Sequence, residues 1–514
     1  MLVAAIASIC ATFVAAAPAS PPNIVFFLVD DLGFNDIGFN GASEVQTPHI
    51  DGLAASGLIL HNYYVQHICS PTRSALMSSR YPIHTGLNHG VIRPTSPYGL
   101  PLSISTLPDE LKRAGYSTHA VGKWHLGFVT DDYVPTNRGF DTFYGYLLGS
   151  EDHYTRFRSD NGVSGFDIRN QTAPAPTMNK TFSSTLWADE AIRVINDHDG
   201  ESPFFLYLPW QDVHAPLQAP DFWKEQYAHI NATDSRKTKA AMSAAVDSGI
   251  ANVTQALKDA GVYDNTLIVF STDNGGPVPD AASNYPLRGS KATLWEGGVR
   301  GAGFIHGPGI FPRTGFSHDM MHVTDWLPTL CEVAGVTPSQ AADIDGVSMW
   351  PTFRAGAASP RAEILHNIDP IGCTTLAPNG KPLCGAVRVG DMKLSMGMEI
   401  QGNEWKWYKF DDMPNGGRGS TVACGGLPPA NPDKATNCAF KATGCLFNIT
   451  ADPCEINDLS AELPQVKATL LAKLLAFNGT ALEPLQLTNP MDPKGADPAK
   501  HGGYWGPWKA AGSV

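Results

Sequence analysis

Ile24-Val-Phe-Phe-Leu-Val29 runs directly into Asp30-Asp31-Leu-Gly33. The apolar run is rich in β-formers and shows no alternation, so it predicts a strand buried on both faces, as in a parallel sheet. Two adjacent carboxylates at its end are costly to bury unless positive charge compensates them. Taken alone, the pair also fits a turn with a helix cap beyond it. The pattern recurs, however. Thr118-His-Ala-Val121 leads into Gly122-Lys123-Trp124-His125, and Pro203-Phe-Phe-Leu-Tyr-Leu208 leads toward His214. Thr266-Leu-Ile-Val-Phe-Ser271 leads into Asp273-Asn274-Gly-Gly276. Each buried run delivers polar side chains just past its C-terminal end, the edge where ligands bind in open α/β sheets. Helical patterns lie between the strands: Ile104, Leu107 and Leu111; Leu186 to Ile195; and Met242, Val246, Val253 and Leu257. The alternation predicts an α/β fold with a mostly parallel sheet flanked by helices.

Working outward, 514 residues leave room for two domains. A formal net charge of -13 argues against nucleic acid as a partner and gives no overall steering toward a polyanion. Residues 1–20, an apolar run ending in small residues, read as a secretory signal, although the first basic side chain of the chain is Arg73. A buried strand is the rival reading. No later segment has the length and apolarity of a transmembrane helix. Six Asn-x-Ser/Thr sites, Asn170, Asn179, Asn231, Asn252, Asn448 and Asn478, are candidate glycosylation sites and agree with passage through the secretory pathway. Of nine cysteines, Cys10 lies in the signal and six cluster late: Cys373, Cys384, Cys424, Cys438, Cys445 and Cys454. These predict up to three disulfides with pairing open, since their spacing does not fit common zinc patterns. Cys331 reads as a core thiol. A boundary near residue 375 separates a catalytic domain, 21–375, from a small cysteine-rich α+β domain, 376–514. In the latter, Val387 to Leu394 and Glu404 to Phe410 read as strands, Leu463 to Phe477 as a helix, and Lys509 to Val514 as a loose end.

Cys69-Ser70-Pro71-Thr72-Arg73 holds the most distinctive chemistry. Ser70 as cap and Pro71 in the first turn would put Cys69 at a helix N-terminus, where free amides favour negative charge. Asp30, Asp31, Asp273 and Asn274 together offer oxygen ligands only, a set suited to a hard cation, Ca2+ before Mg2+. Lys291, in Leu287-Arg288-Gly-Ser-Lys291, reads alone as a solvated charge, although nearby glycines allow close approach of a ligand. His67, His84 and His153 read as surface or core residues.

The Cys69 stretch matches Cys-x-Pro-x-Arg, and with Asp30-Asp31, Gly122-Lys-Trp-His125, the His214 segment, Asp273-Asn-Gly-Gly276 and Lys291 the chain resembles type I sulfatases. Within that family it is most similar to the arylsulfatase B (N-acetylgalactosamine-4-sulfatase) group, on Gly149-Ser-Glu-Asp-His153, Trp295 to Arg300, His366 to Pro370 and Trp505-Gly-Pro-Trp508. The resemblance implies an alkaline-phosphatase/sulfatase-like large mixed sheet flanked by helices, with a smaller C-terminal domain built on an antiparallel sheet. It implies that Cys69 is oxidised to formylglycine by the formylglycine-generating enzyme during secretion. Asp30, Asp31, Asp273, Asn274 and the modified Cys69 would bind one Ca2+. Arg73 and Lys123 would hold the aldehyde hydrate, His125 would contact its second hydroxyl, and His214 and Lys291 would contact the sulfate. The implied activity is hydrolysis of sulfate monoesters by a lysosomal or extracellular enzyme. Its substrate would be N-acetylgalactosamine 4-sulfate in dermatan or chondroitin sulfate, or another sulfated polysaccharide, with aryl sulfates as artificial substrates. Animal arylsulfatase B sequences carry cysteines between the Cys-x-Pro-x-Arg and Gly-Lys-Trp-His motifs. Gly86 to Lys123 has none, so that disulfide framework does not carry over whole. The alternatives are a phosphate or phosphonate ester hydrolase of the same superfamily and a secreted glycan-binding pseudoenzyme.

Overall fold

Asn23–Val29 forms a strand with every residue buried, the outcome its unbroken apolar run requires. The computed structural model describes residues 21–176, 180–377, 380–397, 419–424 and 444–513. The presumed signal at 1–20, Asn179, the expected strand Glu404 to Phe410 and Cys438 lie outside the described residues.

The strand is at the heart of a ten-stranded sheet. The order across it is Gly315–Ser317, Leu58–Leu60, Gly303–His306, Thr266–Thr272, Asn23–Val29, Phe204–Trp210, Ser117–Lys123, Thr142–Tyr146, Arg169–Asn170 and Ala173–Pro174. The run from Thr266–Thr272 to Thr142–Tyr146 is parallel; antiparallel strands adjoin it on both sides. Register fixes what the strand ends bring together. Val29 is level with Trp210 on one side and Thr272 on the other, so Asp30, Gln211 and Asp273 emerge side by side. The Asp30 amide donates to the Asp212 carbonyl at 3.1 Å, and the Asp273 amide to the Val29 carbonyl at 3.1 Å.

Two helical groups pack on the sheet. Ser183–Asn196 and the long Asp234–Asp259 helix lie against each other, and Pro48–Ala55 joins the latter. Cys69–Ser78, Leu107–Arg113 and Trp326–Val333 form the second group. Trp326 reaches the sheet edge-on at Phe26, with ring centroids 5.6 Å apart.

The smaller unit is an antiparallel sheet of Glu363–Ile368, Gly385–Val389, Met392–Met396 and Cys445–Asn448. The Pro464–Thr480 helix covers it through Leu470 and Leu474. Its first strand lies ahead of residue 375. Beyond Ala481 the chain returns to the larger unit. Leu485 donates to the Gly86 carbonyl, Asp492 to that of Thr95, and Trp505 to that of Phe166. Lys509, expected in a loose end, donates its amide to the Val129 carbonyl at 3.0 Å. Disulfides join Cys373 to Cys384 and Cys424 to Cys454, Cys445 is also disulfide-bonded, and Cys331 is a buried thiol. No described helix is long and apolar enough to cross a membrane.

Candidate active site

Four strand ends and one helix N-terminus converge. Cys69 opens the Cys69–Ser78 helix as its first residue, preceded by Ile68 in an extended conformation. Ser70 therefore does not cap, contrary to the expectation from sequence. Its hydroxyl donates to the His125 carbonyl at 3.1 Å and accepts from the Ile92 amide at 3.1 Å, tying the helix to two site loops. The Cys69 thiol lies 3.5 Å from Asp30 Oδ1. Burial and the Asp30 charge push it up to about 12, against Lys123 and Lys291. As a thiol, Cys69 is a poor nucleophile at neutral pH.

Three buried carboxylates face three cations. Lys123 Nζ donates to Asp30, and Arg73 NH2 lies 3.7 Å from the same carboxylate. Arg73 donates to Asp273 Oδ2 at 2.9 and 3.3 Å and to the Lys123 carbonyl at 3.1 Å. Lys291 Nζ contacts both oxygens of Asp31, at 2.6 and 2.8 Å. Burial works to raise the Asp30 carboxyl, but Lys123, His214, Arg73 and Lys291 outweigh it and hold it well below the usual range. Asp273 goes the other way, pushed up to about 7 by burial and by Asp30. The cations compensate Asp30 and Asp31 but not Asp273, beside which a further positive charge would be favourable.

The donors also suit a metal ion. One ligand atom each from Asp30, Asp31, Cys69 and His214 lies within 4.8 Å of the others. Asp273 is turned toward Arg73, with its Oδ1 accepting the Asp31 amide at 3.3 Å. Asn274 donates to Asp31 Oδ1 at 2.8 Å, while its own Oδ1 is buried with no partner. An orphaned amide oxygen beside clustered carboxylates fits a hard cation.

Two histidines flank the nucleophile position. His125, at φ +61°, is buried; Nε2 is 3.0 Å from the Ile92 carbonyl and Nδ1 has no partner. A carbonyl only accepts, so Nε2 carries the proton and Nδ1 offers a lone pair. Burial, with Lys123 and Arg73, holds the ring's pKa well below the ordinary histidine value, so it is neutral. Gly149 lies against this ring, where an added Cβ would come within 2.6 Å of Cε1. His214 Nδ1 is 2.6 Å from the Ala215 carbonyl, and Nε2 is 3.6 Å from Asp31. Burial and Lys291 lower its pKa to about 4.

Sequence reasoning missed the supports behind His214. His153, read as a surface or core residue, has Nε2 3.2 Å from the His214 carbonyl and Nδ1 2.6 Å from Ser183 Oγ. Asp212 Oδ1 lies 3.6 Å from the same Nδ1. Lys239, fully buried in the long helix, donates to the Val213 carbonyl at 3.1 Å. His153 is the last residue of the Gly149-Ser-Glu-Asp-His153 motif, which carried the resemblance but no role for it; Lys239 was hidden within a helical pattern. Of the described sequon asparagines, Asn170, Asn231 and Asn252 are exposed, while Asn448 and Asn478 are half-buried.

The Sulfatase family model matches residues 22–336. The chain belongs to the sulfatase family. This sulfatase is 44% identical to arylsulfatase J of Mus musculus over 498 residues, covering 96% of the chain and 81% of the relative. It is 31% identical to N-acetylgalactosamine-6-sulfatase of Homo sapiens, over 69% of the chain and 70% of the relative. Among solved structures, Ps i-CgsB in complex with k-i-k-neocarrahexaose superposes with a TM-score of 0.74 at 27% identity, covering 90% of this chain and 94% of the other. The sulfatase is a sulfuric ester hydrolase with the fold its motifs implied, a large mixed sheet with helices and a small C-terminal antiparallel sheet.

Proposed function

We propose that this sulfatase hydrolyses sulfate monoesters of a sulfated sugar through a formylglycine made from Cys69. The substrate class is N-acetylgalactosamine 4-sulfate in dermatan or chondroitin sulfate, or a related sulfated polysaccharide, as in the arylsulfatase B-like group. The observation that carries the reading is the environment of Cys69. Burial and Asp30 push the Cys69 thiol up to about 12, so little thiolate is present at neutral pH, while Lys123, Arg73 and Lys291 stand around this helix N-terminus as partners for the negative charge of a sulfate ester.

A hydrated aldehyde at position 69 meets this need. One hydroxyl passes its proton to Asp30, whose Oδ1 lies beside position 69, as its oxygen attacks sulfur, and the sulfur–oxygen bond to the sugar breaks. The departing oxygen takes its proton from Lys291, the protonated member of the pair, while neutral His214, its Nδ1 proton held on the Ala215 carbonyl, contacts the sulfate. His125 Nδ1, the neutral lone pair left open by the Ile92 bond, accepts the proton of the second hydroxyl. The carbonyl re-forms, the carbon–oxygen bond to sulfate breaks, and water rehydrates the aldehyde. Lys123 and Arg73 hold the hydrate and the charge that develops on it.

Asp30, Asp31, Asp273 and Asn274 would hold one divalent cation, Ca2+ rather than Mg2+, because calcium accepts irregular, partly bidentate oxygen cages. Bound there, it would polarise a sulfate oxygen and offset the carboxylate charge. EGTA treatment should abolish activity and excess Ca2+ restore it; full activity after exhaustive chelation would remove the cation from the scheme.

We place the enzyme in the secretory pathway, lysosomal or extracellular, with residues 1–20 as signal, formylglycine-generating enzyme as modifying partner and the sequon asparagines as glycosylation sites. The deciding experiment is the mass of the peptide containing position 69, released with a second protease because no Lys or Arg precedes Arg73. Formylglycine supports the reading. An unmodified thiol, from a host that converts other sulfatases, would instead favour a glycan-binding pseudoenzyme.

A further inference from the structure

Beside Cys69, the loop after Gly86 meets the end of the Glu363–Ile368 strand. The two are clasped by buried asparagines: Asn88 Nδ2 donates to the Ile368 carbonyl and Asn367 Nδ2 to the Asn88 carbonyl, each at 2.8 Å. Next to this clasp, His89 Nδ1 lies 2.8 Å from Asp369 Oδ2, with the two side chains 25% and 23% exposed. Asp369 Oδ1 accepts the Ile371 amide at 2.9 Å, which holds the carboxylate in place. A carboxylate can only accept, so Nδ1 donates to Asp369 and Nε2 is the ring nitrogen left to face a ligand. No described residue bonds to that Nε2.

The pair borders the active site. His89 lies in the same shallow surface depression as Ser70, Ile92 and Tyr98, one too small to hold a water molecule. Ile92, three residues on, is bonded to both Ser70 and His125. From the other side comes His67, two residues before Cys69, 7% exposed and with a buried Nδ1 that has no partner. Its carbonyl accepts the Ala292 amide, next to Lys291, at 2.6 Å. Asp369 is close enough for its charge to act on the His67 ring, and His89 lies beside it. A carboxylate with a free lone pair and two histidine nitrogens without protein partners thus gather beside the nucleophile.

We infer that His89 and Asp369, with His67 behind them, form a subsite for a neutral hydroxyl of the sulfated sugar, and so set the preference for glycan over aryl esters. A hydroxyl both donates and accepts, so it can donate to the Asp369 carboxylate while it pairs with His89 Nε2. Asp369 disfavours a second anion at this spot. The asparagines already clasp the two segments, so the half-exposed pair is free to take a ligand. The inference rests on the sugar-sulfate reading above.

The experiment compares kcat/KM for 4-nitrophenyl sulfate with that for N-acetylgalactosamine 4-sulfate, N-acetylgalactosamine 6-sulfate and galactose 4-sulfate. Variants are His89→Ala, His89→Gln and Asp369→Asn in the full, formylglycine-bearing enzyme. The ratio of the best sugar sulfate to the aryl sulfate should fall about 10–100-fold in His89→Ala and Asp369→Asn, as expected for losing hydrogen bonds to a charged pair. His89→Gln, which keeps a hydrogen-bonding group, should recover part of it and serves if the Ala variant fails to fold. A ratio that stays put, or an equal fall on both ester classes, overturns the subsite and leaves an interdomain clasp. A wild-type enzyme that cleaves the aryl ester and none of the sugars rejects the sugar-sulfate reading itself, and the subsite with it.

Discussion

Cys69 shows how little a residue's identity says without its surroundings. Cys331 has the same side chain, also buried and also pushed up to about 12 by burial, but lies in an apolar helix with no cation cluster around it. What separates them is Lys123, Arg73 and Lys291 on the neighbouring carboxylates. Cys69→Ser should therefore fail in a specific way. Serine can make the first bond to sulfur but has no second hydroxyl to expel sulfate. We expect no multiple turnover, and a peptide spanning position 69 that is heavier by one sulfo group after exposure to substrate; steady turnover by this variant would falsify the two-hydroxyl scheme. Gly149 gives a second prediction at this scale. Its missing Cβ leaves room for the His125 ring, and Gly149→Ala would place a methyl 2.6 Å from Cε1. A displacement of that ring on the order of 1 Å should lower kcat about 100-fold with little change in thermal stability. Wild-type kcat in Gly149→Ala would mean that His125 tolerates movement.

At the scale of elements, helix ends are satisfied from afar. Pro48–Ala55 has no side-chain cap of its own, and Asp247 of the long helix accepts the His49 and Ile50 amides at 3.0 and 2.8 Å. Burial nevertheless pushes the Asp247 carboxyl up to about 6, against those two amides. Its folded pKa thus lies above the unfolded value of about 3.9, so the folded state binds the proton more tightly. The resulting stability is present in full below about pH 4 and is lost as pH rises through 6. Between those limits the wild type should lose on the order of 1–2 kcal/mol that Asp247→Asn, which keeps an acceptor for the two amides, does not lose. Parallel urea-midpoint profiles for the two proteins would refute this. Most elements were legible from local pattern. The buried strands run slightly longer than their apolar cores suggest, to Lys123, Trp210 and Thr272, because one neighbouring strand continues the pairing to each of these residues. The role of Ser70 was not legible. Capping is a local rule, whereas its hydroxyl is claimed by Ile92 and His125 from other loops.

At the scale of the molecule, the two units share buried charge. Lys393 of the small sheet lies between Glu296 of the larger unit, at 2.8 Å, and Glu455, at 2.9 Å, with all three side chains fully buried. Glu455 also accepts the Glu296 amide at 2.7 Å. Removing the cation takes away the ion-pair partner that both buried carboxylates share, leaving Arg300 3.9 Å from Glu296. Lys393→Met should cost about 3–5 kcal/mol and lower the melting temperature. An unchanged melting temperature would show that these carboxylates need no partner. The C-terminal segment joins the units a second way. Trp505 is fully buried, and its indole N–H donates to the Arg158 carbonyl at 3.1 Å. Sequence pattern assigned this stretch to the small domain because chain order was the only guide; its partners lie more than three hundred residues earlier.

By itself the sequence determined the strands, the ends at which they deliver Asp30, Lys123, His214 and Asp273, and the motif around Cys69. These are local signals, an apolar run followed by polar residues, and they survive without knowledge of neighbours. Tertiary structure alone decided which side chains meet. It set Asp273 against Arg73, placed His153 and Lys239 beneath the His214 loop, and brought His89 to Asp369 just past the Glu363–Ile368 strand. Such pairings depend on strand register and on loops from distant parts of the chain, and no spacing within the sequence encodes them.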